Sequence, residues 1–213
     1  MVESKPQVKS GYFKSSYDSR DRFCSYWYQI QETMNAIGSE GRVLEIGPGN
    51  RFLTDYLLKR GICVETLDLR EGNKPDYIGS VNKIPLADQS FELVACFQVL
   101  EHLTFEHFSN SLKEMARVAS KQVVFSVPDV RYVIEIDFSF LSRDRRLQTT
   151  LSFPRITKGG EMTKHHFWEI GRPGYPLAKI LSSFPPELRL RRAYRVPGNP
   201  YHHMFVCDTY RAG

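Results

Sequence analysis

The chain has 213 residues, 41% of them hydrophobic and 25% charged, with a formal net charge of +5. This suits one globular domain with a sizeable core and excludes low-complexity and fibrous classes. No apolar run approaches the roughly 18 residues of a membrane-crossing helix, so no membrane span is expected.

Residues Met1 to Ser19 mix Lys, Ser, Gly and Pro without apolar periodicity and read as a flexible lead-in, with one domain over residues 20–213. That lead-in has no apolar signal core, which points to a cytoplasmic protein. From Arg20 onward Phe23, Trp27, Ile30, Met34 and Ile37 recur at helical spacing, and Gly38 suits the helix end. Arg42 to Ile46 reads as the first strand, followed by a glycine loop, a helix from Arg51 to Arg60, and a second strand over Ile62 to Asp68. A short strand is predicted around Tyr77 to Ile78 and a longer one over Phe91 to Phe97. Helical spacing resumes at Phe105, Phe108, Leu112, Met115 and Ala119, before a fifth strand at Gln122 to Val127.

This alternation predicts an α/β fold, a doubly wound Rossmann-like sheet of seven strands that is mostly parallel. Beyond Pro128 the regularity lapses. Residues 128–165 read as a lid or substrate insertion, with a short helix near Asp137 to Arg145. A helix follows at Tyr175 to Ser183. Strands at Glu187 to Val196 and His202 to Tyr210, joined through Pro197-Gly198-Asn199-Pro200, complete an antiparallel C-terminal hairpin. The four cysteines, Cys24, Cys63, Cys96 and Cys207, are scattered, with no Cys-x-x-Cys pair, and read as buried thiols.

The run Val43-Leu44-Glu45-Ile46-Gly47-Pro48-Gly49-Asn50-Arg51-Phe52 leaves a strand and enters a helix. Gly47 and Gly49 permit a tight turn and close approach of a ligand, and the helix start offers unpaired N–H groups. Glu45 lies in an otherwise apolar strand, where a buried carboxylate needs a partner; a cationic or hydrogen-bonding ligand would supply one. Asp68 ends the next strand, where a carboxylate either accepts both hydroxyls of a ribose or caps a turn.

These segments resemble the class I S-adenosylmethionine-dependent methyltransferase family, type 11-like, from about Val43 to Pro128. In that family a Val-Leu-Glu-Ile-Gly-x-Gly strand and loop carries the methionine end of the cofactor, which the resemblance assigns to Glu45, Gly47, Pro48 and Gly49. Leu67-Asp68-Leu69 is similar to the ribose-binding acid and its adenine-packing neighbour. Ser80 and Val81 stand at the adenine edge. Phe97-Gln98-Val99-Leu100-Glu101-His102-Leu103 resembles a signature whose first residues, Phe97, Gln98 and Val99, face the methionine portion. The chain departs from the pattern at Arg51, where many members have a third glycine, and at Ser80, where many have Asp. Arg51 either crowds the helix–strand contact or lies outward near the cofactor carboxylate.

Methyl transfer from a sulfonium is an in-line displacement, and a hydroxyl acceptor must also lose a proton. Candidate bases are His102, after the fourth strand, and His165 and His166 in His165-His166-Phe167-Trp168-Glu169. The competing readings are a helix cap for His102 and a packed aromatic anchor for the second motif. His166-Phe167-Trp168-Glu169 resembles a His-x-Trp-Glu stretch in small methyltransferases, some linked to glycan or envelope chemistry. At most one of His202 and His203 can face the pocket, since strand residues alternate. No metal is expected, because no carboxylate or cysteine stands at a familiar ligand spacing from the histidine pairs.

The expected acceptor is therefore a small molecule or glycan. The alternatives are an RNA methyltransferase using Arg143 to Arg146 and Arg189 to Arg195 on phosphates, and a noncatalytic cofactor-binding protein.

Overall fold

In the computed structural model, strand and helix follow the spacing of apolar residues; the described residues are 18–38, 41–139, 146–153 and 165–210. The first helix, α1 (Arg20–Ile37), opens on Ser19, whose side chain accepts a hydrogen bond from the Arg22 amide, and closes on Gly38 at φ 65°. Then come β1 (Arg42–Ile46), α2 (Phe52–Lys59), β2 (Cys63–Asp68), β3 (Tyr77–Ile78), β4 (Phe91–Phe97), α3 (Phe108–Val118) and β5 (Ala119–Pro128). The chain continues through β6 (Tyr132–Ser139), β7 (Arg146–Phe153), α4 (Leu177–Ser182), β8 (Leu188–Val196) and β9 (Asn199–Thr209).

Seven strands form one sheet in the order β3-β2-β1-β4-β5-β9-β8. Strands β1 to β5 pair in parallel, and β9 pairs antiparallel with both β5 and β8. The order reverses between β1 and β4, so a crevice opens there at the carboxyl ends of the strands. One core, around Phe91, Leu112, Phe125 and Trp168, lies under α3 and α4. The other, around Ile30, Leu53, Leu57 and Val206, lies under α1 and α2. No helix among the described residues is long and apolar enough to cross a membrane.

Three expectations are corrected. The apolar stripe proposed for α1 is only partly its buried face: Ile30 and Ile37 are buried, but Phe23 and Trp27 are 49% and 54% exposed, whereas Ser25 and Thr33 are wholly buried. Small and polar residues let the helix dock closely, and Asn199 reaches across to donate to the Ser25 hydroxyl (2.9 Å). The short helix placed near Asp137 is instead strand: Tyr132–Ser139 carries the β-branched Val133, Ile134 and Ile136 and pairs antiparallel with Arg146–Phe153, while residues 140–145 lie outside the described residues. Among the cysteines only Cys96 and Cys207 are buried; Cys24 is half-buried and Cys63 is exposed at the start of β2.

The basic run Arg189 to Arg195 falls on β8, an edge of the sheet. Arg192 is bonded to Glu32 and Arg195 is buried, donating to the carbonyls of Asp129 (3.0 Å), Arg131 (3.0 Å) and Pro200 (2.6 Å). Charged edge strands of this kind resist pairing with other chains. Of the other basic run, residues 143–145 lie outside the described residues.

Candidate active site

A cavity of about 620 Å3 opens at the carboxyl ends of β1, β2 and β4. Its wall contains each cofactor and base candidate named from the sequence: Glu45, Gly47, Pro48 and Gly49 after β1, Asp68 and Leu69 after β2, Ser80 and Val81 beyond β3. Phe97, Gln98 and Val99 follow from β4, and His102, His165 and His166 complete the set.

The floor is built by backbone geometry. Gly47 has φ +66°, and a Cβ there would stand 2.6 Å from Val99 Cγ2, so only glycine brings the loop this close to the β4 turn. Its amide donates to the Leu67 carbonyl (2.8 Å), tying the loop to β2. Arg51, at the position of the third glycine, also adopts a left-handed conformation (φ 62°) just before α2. The glycine of other members would relieve that conformation. The Arg51 side chain stays outside the cavity wall, 3.7 Å from Asp55, so it does not fill the ligand space. Gln98 is left-handed too (φ 57°) and is fixed by its amide to the Ser126 carbonyl (2.9 Å) and its side chain to the Ser126 hydroxyl (3.1 Å).

The acids are oriented differently. Glu45 is buried and accepts from the Thr54 hydroxyl, which supplies the partner its position demanded. Burial nonetheless pushes its carboxyl up to about 7, against the lowering effect of Thr54 and the Arg51 charge. Asp68 accepts from the Arg70 amide (2.9 Å) and the Asn73 side chain (2.8 Å), which aim its carboxylate along the cavity rim.

At the other end stand the histidines. The Nδ1 of His102 lies 2.6 Å from the carbonyl of His165; a carbonyl only accepts, so Nδ1 carries the proton and Nε2 is left with its lone pair. His166 repeats the pattern: its Nδ1 lies 2.8 Å from Glu169 Oε1. Glu169 also accepts from Arg172 (2.8 Å) and Tyr201 (3.0 Å). Burial would raise its carboxyl, but these bonds outweigh burial and hold it below the usual range. Between the rings lies Glu101, wholly buried; burial pushes its carboxyl up to about 8, and burial likewise drives His102 down to about 3. The two members of the aromatic motif thus divide: His166 faces the cavity, whereas Trp168 is fully buried against Phe105 and Phe108 and donates to the Leu103 carbonyl (3.1 Å).

Several wall residues were not singled out from the sequence, among them Arg22, Tyr26, Gln29, Asn50, Glu101 and Tyr201. The first three recur at helical spacing on α1, a polar stripe that the apolar reading of that helix passed over. Asn50 donates to the Tyr26 hydroxyl (2.8 Å), which holds α1 over the glycine loop. Of the last histidine pair, His202 lines the cavity and His203 turns to Asp129 (2.9 Å), as strand alternation requires. The view that no carboxylate stands by a histidine pair rested on chain separation; the fold brings Glu101, His102 and His166 together.

Residues 44–127 match the family model of a methyltransferase domain. Over these residues, which run from β1 to β5, the chain is similar to the methyltransferase-domain family. No curated protein matches the sequence. Among solved structures, the PH0226 protein of Pyrococcus horikoshii has a TM-score of 0.61 at 14% identity, over 96% of this chain and 100% of that one. A SAM-dependent methyltransferase of Aquifex aeolicus has a TM-score of 0.54 at 17% identity, over 92% and 96%. The 1,6-didemethyltoxoflavin-N1-methyltransferase of Burkholderia thailandensis, solved with its acceptor and S-adenosylhomocysteine, has 0.56 at 15% identity, over 99% and 94%. These likenesses establish the fold. The cavity wall combines a glycine floor that a Cβ would obstruct with a carboxylate held by two hydrogen bonds, a pairing that suits a nucleoside-bearing cofactor.

Proposed function

We propose that the protein is an S-adenosylmethionine-dependent methyltransferase that acts on a small, hydroxyl-bearing acceptor such as a sugar-type molecule. Glu45 and the Gly47-Pro48-Gly49 loop take the methionine end of the methyl donor, together with Phe97, Gln98 and Val99. Asp68 accepts the ribose hydroxyls. Leu69 and Val81 pack the adenine, and Ser80 bonds its edge. His102, His165 and His166 face the acceptor. The donor supplies the methyl group; the protein's contribution is to align the acceptor and exclude water.

One observation carries the acceptor class: the donor-side residues and the polar end formed by Glu101, His102, His165, His166, Tyr201 and His202 line the same cavity, of about 620 Å3. Donor and acceptor must share it, which leaves space for a small polar molecule. The described part of the basic surface, on β8, lies at the edge of the sheet opposite β3, away from that mouth. This disfavours the RNA reading.

The test is transfer of labelled methyl from S-adenosylmethionine into separated small-molecule, glycan and RNA fractions of source cells. Label in a hydroxylated small molecule or glycan is expected, and label confined to RNA overturns the proposal. Cofactor placement is tested by Asp68→Ala, which is expected to weaken donor binding by about 1.5–3 kcal/mol, or roughly ten- to hundredfold. Unchanged calorimetric affinity in the folded variant would refute the ribose role.

A further inference from the structure

Burying a carboxylate without partners is expensive, and proteins avoid it unless a cation or a donor faces the group. Glu101 is wholly buried, and neither of its oxygens has a hydrogen-bond partner among the described residues. The Nε2 of His102, also buried, has none either. Glu101 Oε1 stands 3.7 Å from His102 Nε2 and 4.0 Å from His166 Nε2, too far for hydrogen bonds. The three ligand atoms lie within 4.8 Å of one another, and all three residues border the cavity.

The outer contacts explain the arrangement. Both imidazoles commit Nδ1 to an acceptor, His102 to the His165 carbonyl and His166 to the Glu169 carboxylate, so each turns a bare Nε2 lone pair toward Glu101. Metal-bound histidines are held this way, with the distal nitrogen donating to a carbonyl or carboxylate that fixes tautomer and ring plane. Glu169 is itself fixed by Arg172 and Tyr201, so the support extends one layer further.

We propose that Glu101, His102 and His166 form a binding site for one divalent transition cation of the Zn2+ class, with its open position facing the cavity. Ligand bonds of about 2.0–2.2 Å place such atoms roughly 3 Å apart, so small side-chain rotations close the site. Two imidazole nitrogens and one carboxylate favour a transition ion over Mg2+ or Ca2+, which prefer all-oxygen sets. Resting on the proposed function, the open position takes the hydroxyl oxygen of the acceptor. That hydroxyl loses its proton to solvent, and its oxygen forms the new C–O bond. As it does so, the carbon–sulfur bond breaks, its electron pair stays on sulfur, and the sulfonium becomes a neutral thioether. The cation lowers the hydroxyl pKa, work otherwise assigned to a histidine base.

The site is tested by titrating the metal-stripped, tag-free full chain with Co2+, with and without S-adenosylmethionine, and then displacing it with Zn2+. One equivalent of Co2+ with visible d–d absorption is expected, lost on adding Zn2+ and unaffected by excess Mg2+. His166→Asn and Glu101→Gln should each weaken Co2+ binding at least about tenfold, and Glu169→Gln by about 10–100-fold through loss of the His166 support. The metal-free Glu101→Gln protein should melt no lower than metal-free wild type, because an amide replaces an unpaired buried carboxylate. Absence of a stoichiometric cobalt spectrum in the wild type, or equal binding by these variants, overturns the site. Methyl transfer that persists in metal-free protein overturns it while leaving the proposed function intact. Cobalt binding without transfer to any hydroxylated acceptor has the opposite meaning: the cation site stands, and its role toward an acceptor hydroxyl falls with the proposed function.

Discussion

Gly47 shows how a single hydrogen atom in place of a side chain shapes the site. Its φ of +66° and the 2.6 Å approach to Val99 Cγ2 impose separate costs on any larger residue. In Gly47→Ala the left-handed backbone costs about 1–2 kcal/mol, and the overpacked contact about 1–3 kcal/mol more. Adding Val99→Ala should recover the contact but not the backbone share, so chemical denaturation of the single and double variants separates the two. Equal stability of both would contradict the close contact. The glycine turn and Asp68 were legible because a bend with positive φ and a rim carboxylate demand particular residue types. The left-handed backbone at Arg51 and Gln98 was not, since neither is the glycine that signals it. Glu101 was hidden for a related reason: its importance comes from His166, far away in the chain.

At the scale of elements, the link from β3 to β4 is pinned by one side chain on α3. Arg117 donates to the carbonyls of Leu86 (2.8 Å) and Ile84 (2.9 Å), to Asp88 (2.7 Å) and to Glu114 (2.8 Å), while Glu114 accepts from the Ile84 amide (2.9 Å). The start of this link carries Ser80 and Val81 into the cavity wall. Arg117→Ala should cost about 1.5–3 kcal/mol of stability and also weaken donor binding; Arg117→Lys should restore little, because an ammonium cannot serve the same fork. Calorimetry and denaturation on both variants check this, and full rescue by Lys would count against the fork. Strands β1 and β4 were readable to their end residues because buried parallel strands are short apolar runs between turns. The seating of α1 was not, because its wet and dry faces both contain aromatics, and burial at Ser25 and Thr33 is set by the strand it meets.

For the molecule as a whole, pH acts through opposed buried groups: Glu45 and Glu101, raised by burial to about 7 and 8, favour the folded chain as pH falls toward 5, whereas buried imidazoles oppose it. His202 is buried and neutral, its imidazole driven by burial from 6.5 down to about 3, with Arg22 adding a smaller push in the same direction. The unfolded chain takes up that proton below about pH 6.5 and the folded chain does not, so the contribution of His202 falls as pH drops from there toward 3. By pH 5 the loss from His202 amounts to about 2 kcal/mol. Asp129 continues the trend. Burial would raise it, yet His203, Arg131 and Arg195 hold it at about 2 against an ordinary 3.8, so its contribution is full above 3.8 and lost toward 2. Denaturation of wild type and His202→Gln at pH 7.5, 6 and 5 isolates the His202 share: the stability of wild type relative to the variant should fall by about 2 kcal/mol by pH 5. A difference between the two that stays level from 7.5 to 5 would argue against a neutral, buried His202. The seven strands of the main sheet and its antiparallel hairpin were readable from the sequence, but the β6–β7 pair and the order of strands were not, since parallel partners leave no mark on one another's composition.

The docking of α1 on the last two strands has a temporal side. Glu32 accepts from the Tyr194 hydroxyl (2.6 Å) and from Arg192, and Ser25 accepts from Asn199 (2.9 Å). The helix that carries Arg22, Tyr26 and Gln29 into the cavity wall precedes every strand of the sheet, yet its seat is made by residues synthesised after β1 to β7. During synthesis the glycine loop and its acid can assemble with β1 and β2 while α1 waits. The enclosure that keeps water from the methyl group is therefore finished only when β9 is in place.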